Sequence, residues 1–180
     1  LAKQLSSAYV PISAAVIKGE MYEAMIEPSN QVGVFGHGYT YSGHPLACAV
    51  ALKTLEIYQR DNVFEKAAKV GEYFQSRLTT LADHPLVGEV RGEGLLAAVE
   101  MVANKTTGEA FEGGDIGAYC QQRCQENGLI VRAVAGSAIA FCPPLIISEQ
   151  QINELIEKFS KALDETFDYV AKDKLIRVRL

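Results

Sequence analysis

Residues 2–13 read AKQLSSAYVPIS, and this stretch is the most informative part of the chain. Lys3 is followed by small residues, by Tyr9 two positions before Pro11, and then by an apolar segment. The β-branched residues of that segment predict a short buried strand over residues 11–17, entered from a turn. Lysine side chains are rarely buried, so the residue type alone predicts a solvated Lys3 without a chemical role.

A second motif, GHGYTYSGHP, occupies residues 36–45. It ends a segment rich in glycine and aromatic residues, residues 27–43, that predicts a loop. Structureless loops of this length are uncommon in compact domains unless they have a function. The Thr40 hydroxyl and the backbone N–H groups of a glycine-bearing loop before a helix are suited to hold a phosphate. Taken by itself, the motif is more typical of a plain loop that carries a polar residue.

The remaining sequence alternates helices with strand pairs, which indicates an α+β domain over roughly residues 44–172. Apolar residues surround the predicted helix at 46–55, a pattern typical of a helix buried on all sides. Ser148 and Gln151 form a capping box that begins a long final helix. The other predicted elements are a helix at 18–26, a helix with one apolar stripe from 63 to 81, a strand pair within 87–102, a helix at 115–127 ended by Gly128, and strands at 129–134 and 138–142.

Taken together, the motifs at Lys3–Pro11 and Gly36–Pro45 resemble the class III aminotransferases of the ω-amino acid:pyruvate branch, which use pyridoxal 5'-phosphate (PLP). The resemblance implies an α/β protein with PLP-dependent transferase fold type I. Residues 1–43 are then the trailing part of the PLP-binding large domain, and residues 44–180 are the C-terminal α+β small domain with its linking helix. The chain is expected to be the carboxy-terminal portion of a longer enzyme, because a large half precedes the lysine in the family.

The resemblance implies chemical roles for three positions within residues 1–43. Lys3 is the catalytic residue, which carries the cofactor and moves a proton on the substrate. A desolvated lysine amine loses its charge readily and then serves as nucleophile and base. Thr40 matches the threonine that binds the PLP phosphate of the neighbouring subunit, which implies a homodimer or a higher homo-oligomer. Tyr39 is expected to lie near the cofactor as well.

Arg132, within the apolar run at 129–134, is the candidate for binding substrate. An arginine in such a run is unfavourable unless it is paired or lines a pocket. The residue pattern alone is more typical of an edge-strand arginine that faces water. In the branch that the chain resembles, an arginine at this place binds the substrate carboxylate and swings away for apolar substrates. The guanidinium fork matches a carboxylate with two parallel hydrogen bonds, which suits that role.

The implied reaction moves an amino group from a primary amine or ω-amino acid to pyruvate or a similar keto acid. In the family, the aromatic residue that stacks on the cofactor ring, the acid that pairs with its ring nitrogen and further phosphate donors all precede the lysine. None of them is in this chain, so the 180 residues alone are expected to be inactive.

Two alternatives stay open beside the transaminase. One is a non-catalytic dimerisation or binding fragment. The other is a different class III PLP enzyme, namely a decarboxylase, an aminomutase, or a transaminase of the 4-aminobutyrate or ornithine type. The serine-containing run after Lys3 departs from the glycine-rich form associated with those branches, which favours the ω branch.

Composition excludes several classes of partner. A formal net charge of −5 argues against nucleic acid or an anionic membrane, because both attract basic surfaces. No apolar run reaches the about 20 residues that span a bilayer. The four cysteines form no secreted framework, which predicts reduced thiols in the cytoplasm. The three histidines lack ligand spacing relative to the cysteines, so no metal site is expected, and His37 and His44 are expected to be structural.

Overall fold

The computed structural model describes residues 1–113 and 115–172, and contacts within the chain divide it into two compact units. Unit 1 is Leu1–Asn62 and unit 2 is Val63–Leu180. These units are defined by contacts within this chain, so they do not test the predicted boundary between a large and a small domain after residue 43. That boundary stays a prediction.

Unit 1 contains a short 3₁₀ turn at Lys3–Leu5 and two helices, α1 at Gly19–Val32 and α2 at Pro45–Arg60. The strand predicted for residues 11–17 is not formed. This segment has no regular structure, and within it only Ile12 is partly buried. A strand needs a paired neighbour for its backbone N–H and C=O groups. The described residues of unit 1 contain no strand that could pair with it, so this prediction is wrong.

Helix α1 is longer than predicted and takes up the first residues of the predicted loop. It continues through Pro28, although a proline inside a helix removes one hydrogen bond and usually ends or kinks the helix. Across the proline, Gln31 Nε2 donates to Glu27 Oε1 at 3.1 Å. The helix ends at Gly33, whose φ of 103° favours glycine. The end of the helix is therefore set by the glycine and not by the proline.

Helix α2 begins where the sequence predicts, with Pro45 in its first turn, but it is not buried on all sides. Its buried residues are Ala51 and Thr54, whereas Leu46 and Leu52 are 64% and 68% exposed. The prediction of complete burial is therefore wrong for this structure. Complete burial of a helix needs partners around its whole circumference, and the described elements of unit 1 are too few to supply them.

The described residues of unit 2 form a four-stranded antiparallel sheet in the order β1-β2-β4-β3. Its strands are β1 at Val87–Glu93, β2 at Leu96–Met101, β3 at Arg132–Val134 and β4 at Ala138–Phe141. The predicted strand pair at 87–102 is confirmed as the β1–β2 hairpin, which turns at Gly94 with a φ of 56°. Strand β3 is shorter than the predicted strand at 129–134, because pairing with β4 is limited to Arg132–Val134.

Three helices pack with this sheet: α3 at Val63–Thr79, α4 at Ile116–Glu126 and α5 at Glu149–Lys172. The predicted capping box is confirmed, since Gln151 N–H donates to Ser148 Oγ at 3.2 Å and Ser148 N–H donates to Gln151 Oε1 at 3.0 Å. None of the helices in the described part of the chain is long and apolar enough to cross a membrane.

The core of unit 2 forms where the apolar stripes of the helices meet the sheet. Phe74 of α3, Phe141 of β4 and Phe159 of α5 are all buried and stack edge to face. The ring centroids of Phe141 and Phe159 are 4.9 Å apart, a favourable distance for such pairs. The predicted stripes of α3 and α5 are confirmed by this packing, and unit 2 has the predicted α+β architecture.

Candidate functional site

Lys3 lies in the 3₁₀ turn of unit 1, with an exposed side chain and a backbone φ of 53°. A left-handed backbone is uncommon for residues other than glycine and costs about 1–2 kcal/mol per residue. Ser7 and Ala8 share it, at φ values of 49° and 64°. We refer to residues 3–8 as the lysine turn. Strained backbone of this kind is concentrated at functional sites, so the lysine turn is a candidate.

Hydrogen bonds from three directions hold the lysine turn. Ser6, almost fully buried, donates from Oγ to the Val10 carbonyl at 2.7 Å. The N–H of Ala14 donates to the Leu1 carbonyl at 2.8 Å and closes the base of the segment. The Tyr58 hydroxyl, in the last turns of α2, donates to the carbonyl of Gln4 at 2.9 Å. The backbone next to Lys3 is thus fixed by a residue far along the chain.

Thr40 lies in a tight turn over residues 39–42, shortly before α2. The N–H of Ser42 donates to the Tyr39 carbonyl at 2.9 Å, and the N–H of Tyr39 donates to Ser42 Oγ at 3.0 Å. Within the described parts of the chain, the hydroxyl and the N–H of Thr40 have no hydrogen-bond partner, and the residue is exposed. Such donors near the start of a helix are suited to bind an anion, because the helix dipole favours negative charge there.

A cavity of about 950 Å³ lies within unit 1, and ligand sites commonly have volumes up to about this size. Tyr39 lines it, whereas Lys3 and Thr40 are not among the described residues on its wall. The wall consists of residues 10–14, 39, 41–44 and 46–48. The structure therefore brings Tyr39 together with the segment that follows the lysine turn, but it does not bring the side chains of Lys3 and Thr40 into the same cavity.

Arg132 belongs to unit 2, where it begins the edge strand β3 and pairs with Ala140 of β4. Its side chain is exposed. No described residue forms an ion pair or a hydrogen bond with its guanidinium group. The arginine is therefore available to an external carboxylate, and its exposure also fits the simpler interpretation from sequence, an edge-strand arginine that faces water.

Tyr58 is the residue of this site that sequence reasoning missed. It occupies a predicted helix, and nothing in its local spacing indicates a partner 54 positions earlier in the chain. A search for conserved tyrosines could have found it only with aligned relatives. Its contact with the lysine turn depends on how α2 lies within unit 1.

In unit 2, the groups whose pKa is shifted lie outside the segments that carry the predicted site residues. A hydrogen bond with Cys120 and burial both raise the pKa of the Cys124 thiol. Buried thiols of this kind are inert, because the thiolate is the reactive form. No group of His, Cys, Asp and Glu among residues 1–113 and 115–172 has the arrangement of a metal site.

Comparison with known proteins identifies relatives over nearly the whole chain. The family model for aminotransferase class-III matches residues 1–163. A chloroplastic gamma aminobutyrate transaminase 3 of Solanum lycopersicum is 45% identical over 176 residues, which are 97% of this chain and 34% of the relative. A putrescine–pyruvate aminotransferase of Pseudomonas aeruginosa is 47% identical over 92% of this chain and 36% of the relative. The chain thus spans about a third of the length of these curated relatives.

Solved structures give the same result. A transaminase with L-Ala has a TM-score of 0.90 and 44% identity, over 94% of this chain and 40% of the other. The ω-transaminase of Pseudomonas jessenii in complex with PMP has a TM-score of 0.89 and 46% identity, over 94% of this chain and 38% of the other. These likenesses confirm the predicted fold class, in which the chain corresponds to the end of a large domain and a small α+β domain of fold type I.

Proposed function

Because this chain belongs to the class III aminotransferase family, we propose that it forms part of a PLP-dependent transaminase. The proposed reaction moves an amino group from a primary amine or ω-amino acid to pyruvate or a similar keto acid. One relative is named for putrescine and pyruvate and another for gamma aminobutyrate, which supports a donor class of terminal amines without selecting one member. The observation that carries the proposal is the exposed Lys3 in a left-handed turn, at the position of the family motif.

The donor chemistry of the residues present fits the cofactor. Lys3 offers an exposed amine that has no partner among the described residues. Thr40 offers a hydroxyl and an N–H close to the start of α2, where a phosphate is favoured. Tyr39 contributes an aromatic ring to the neighbouring cavity. These are the groups that we propose to hold PLP, which when bound supplies an electron sink for a carbon that loses a proton.

Lys3 Nζ has two proposed tasks. The amine would hold the cofactor covalently, a role that needs an uncharged, nucleophilic nitrogen. Once it is free, the same nitrogen takes the proton from the carbon that bears the amino group of the substrate. A general base within hydrogen-bond reach of the proton it removes contributes about 10²–10⁴-fold to the rate. The strained backbone at Lys3 supports this role, because it fixes the direction in which the side chain leaves the turn.

We propose that Thr40 donates to the phosphate held by a neighbouring subunit, which makes the enzyme a homodimer or a higher homo-oligomer. The solvent-facing donors of Thr40, in a turn stabilised by Tyr39 and Ser42, support this assignment. A donor that already had a partner within its own unit would need to break that bond first, at a net cost of about 1 kcal/mol.

Arg132 is the proposed substrate-binding residue of unit 2. Its guanidinium group would bind the carboxylate of the keto acid or amino acid through two parallel hydrogen bonds. The exposed position at the first residue of an edge strand supports a side chain that can also turn away when a substrate has no carboxylate.

The assignments of the whole enzyme follow the same proposal. Residues 1–43 belong to the large domain and residues 44–180 to the small domain. The 180 residues alone are proposed to be inactive, because groups that the family places before the lysine are needed to hold the cofactor. The cytoplasm is proposed as the compartment, on the basis of four cysteines that are free thiols.

The test is to locate the cofactor on the protein. Full-length protein is incubated with PLP, reduced with borohydride and digested, and the modified peptide is identified by mass spectrometry. We expect the label on Lys3, and we expect Lys3→Ala to lose the label together with transaminase turnover. Lys18→Ala is the matched control, because Lys18 is also an exposed lysine of unit 1 and lies at the start of α1.

Two outcomes would contradict the proposal. Full turnover in Lys3→Ala would show that another residue carries the cofactor. A full-length protein that takes up no PLP and forms a stable oligomer would favour the alternative, a non-catalytic dimerisation or binding fragment. A panel of donors that includes 4-aminobutyrate, ornithine and putrescine, each with pyruvate and with 2-oxoglutarate, distinguishes the transaminase branches, and carbon dioxide release identifies a decarboxylase.

A further inference from the structure

We infer that Tyr58 is a positioning residue for the cofactor lysine, an inference that rests on the function proposed for Lys3. The side chain of Tyr58 does not have to touch substrate or cofactor for this role. It acts through the backbone, because its hydroxyl donates to the carbonyl of Gln4, the residue directly after Lys3. The distance from Tyr58 Oη to the Gln4 carbonyl oxygen is 2.9 Å.

The lysine turn needs support from outside, because its own hydrogen bonds are long. The N–H of Ser6 reaches the Lys3 carbonyl at 3.3 Å, and the N–H of Ser7 reaches the Gln4 carbonyl at 3.2 Å. Both distances lie at or beyond the long end of the usual range for N–H···O bonds, about 2.7–3.2 Å. The bond from Tyr58 is shorter than either of them and comes from a different element.

Backbone strain in the lysine turn makes the bond from Tyr58 important for the direction of the Lys3 side chain. Lys3, Ser7 and Ala8 all have a left-handed backbone, which non-glycine residues leave readily when nothing holds them. A relaxation of φ at Lys3 would redirect the whole side chain, since its stem begins at the strained Cα. The bond to the Gln4 carbonyl restrains the peptide group between Gln4 and Leu5, one residue after Lys3, and thereby limits the relaxation of the turn that directs the lysine.

Helix α2 is a rigid base for that restraint. Tyr58 lies in the last turns of a helix of 16 residues, and its side chain is half-buried. The 3₁₀ turn packs against this helix. Among the described residues, no other side chain of α2 forms a hydrogen bond with residues 1–10. Within unit 1, Tyr58 is thus the point at which the helix fixes the lysine turn.

The experiment compares two tyrosines that each donate a hydroxyl across elements. Tyr58→Phe removes the hydroxyl that donates to Gln4 and keeps the ring. Tyr73→Phe is the matched control in unit 2, where the hydroxyl of Tyr73 donates from α3 to Asn153 Oδ1 of α5 at 2.8 Å. Both variants are made in the full-length protein. The measurements are the dissociation constant of PLP from absorbance titration of the apoprotein, the rate constant of its covalent attachment to Lys3, and Tm.

For Tyr58→Phe we expect the dissociation constant to rise and the attachment rate to fall, each by about twofold to tenfold, the effect of one net hydrogen bond. For Tyr73→Phe we expect a change in Tm comparable to that of Tyr58→Phe. We expect no change in the dissociation constant of PLP or in the rate constant of its attachment. Tyr58→Leu, which also removes the ring, should affect the cofactor at least as strongly as Tyr58→Phe.

Two results would overturn the inference while the proposed function stands. One is wild-type cofactor binding and attachment in Tyr58→Phe. The other is an equal effect of Tyr73→Phe, which would identify a general loss of stability. A wild-type protein that attaches no PLP at Lys3 would instead overturn the proposed function, and the positioning role with it.

Discussion

Unit 1 and unit 2 differ in how much apolar surface each buries for itself. Unit 2 encloses four buried phenylalanines and the stripes of three helices against a sheet. In unit 1 the buried residues are Ser6, Ala51 and Thr54, and large apolar side chains such as Phe35 and Leu52 are exposed. Three of the four predicted site residues are in the unit with almost no core. In this chain the proposed chemistry and the packing that gives stability are therefore largely separate.

The largest effect expected from this difference is on stability. Phe159→Ala in the 180-residue chain should reduce the free energy of unfolding of unit 2 by about 3–5 kcal/mol, because it leaves a cavity in a close-packed core. Leu52→Ala on the exposed face of α2 should change the free energy of unfolding of unit 1 by less than about 0.5 kcal/mol. Urea denaturation followed by circular dichroism measures both. Similar losses for the two variants would mean that unit 1 has a core of its own in solution.

The next effect concerns the substrate binding proposed for Arg132 of unit 2. In the full-length enzyme, Arg132→Ala should raise KM for pyruvate by about 10- to 100-fold, because hydrogen bonds to a charged group are lost. KM for a monoamine without a carboxylate should stay within about twofold. Steady-state kinetics with each substrate varied gives both values.

Arg91→Ala is the matched control for the arginine. Arg91 lies on strand β1, the other edge of the sheet, and it is already paired with Glu89 and Glu100. We expect its loss to leave KM for pyruvate unchanged. Equal losses for pyruvate and the monoamine in Arg132→Ala would count against a carboxylate-binding role.

A smaller effect concerns how the helices of the two units begin. Ser148→Ala should destabilise unit 2 by about 1 kcal/mol, because it removes the side-chain acceptor of the capping box. The N-cap of α1, Lys18, makes no such bond, so Lys18→Ala should have no comparable effect. Thermal unfolding of the two variants compares the caps directly. An unchanged Tm in Ser148→Ala would mean that water replaces the hydroxyl without loss.

The smallest effect expected is a dependence of the stability of unit 2 on pH. Burial lowers the pKa of His84 below its ordinary value of about 6.5, and the charge of Lys105 lowers it further. The neighbouring Asp164 carboxylate raises the pKa but does not outweigh burial. The folded state therefore binds this proton less readily than the unfolded state does. The stability of unit 2 should be constant above about pH 6.5 and should fall as the pH decreases below it.

The geometry of His84 explains the sign. Its Nδ1 accepts a hydrogen bond from the N–H of Leu86 at 3.2 Å, which needs an unprotonated nitrogen, while Nε2 faces Asp164 Oδ1 at 3.4 Å. Asp164→Asn should enlarge the loss of stability in acid, and His84→Gln should remove this part of the pH dependence. Unfolding measured across the range from about pH 5 to 8 tests both, and an acid-stabilised wild type would contradict the assignment.

Sequence reasoning succeeded where local spacing and packing agree. The stripes of α3 and α5, the β1–β2 hairpin, the capping box at Ser148 and the end of α4 before Gly128 were all predictable. Each depends on residues a few positions apart, whose apolar faces then pack within unit 2. The same reasoning was wrong for the strand at 11–17 and for the burial of α2, because both require neighbours that the described residues of unit 1 do not provide.

The sequence by itself determined the family and named Lys3, Tyr39, Thr40 and Arg132 as candidates, because two short motifs at a fitting separation are specific. Only the tertiary structure gave Lys3 its left-handed backbone and joined the Gln4 carbonyl to Tyr58 across 54 positions. It also decided that α1 continues through Pro28. The physical reason is that motif spacing encodes which groups are present, whereas strain and support depend on contacts between residues that are distant along the chain.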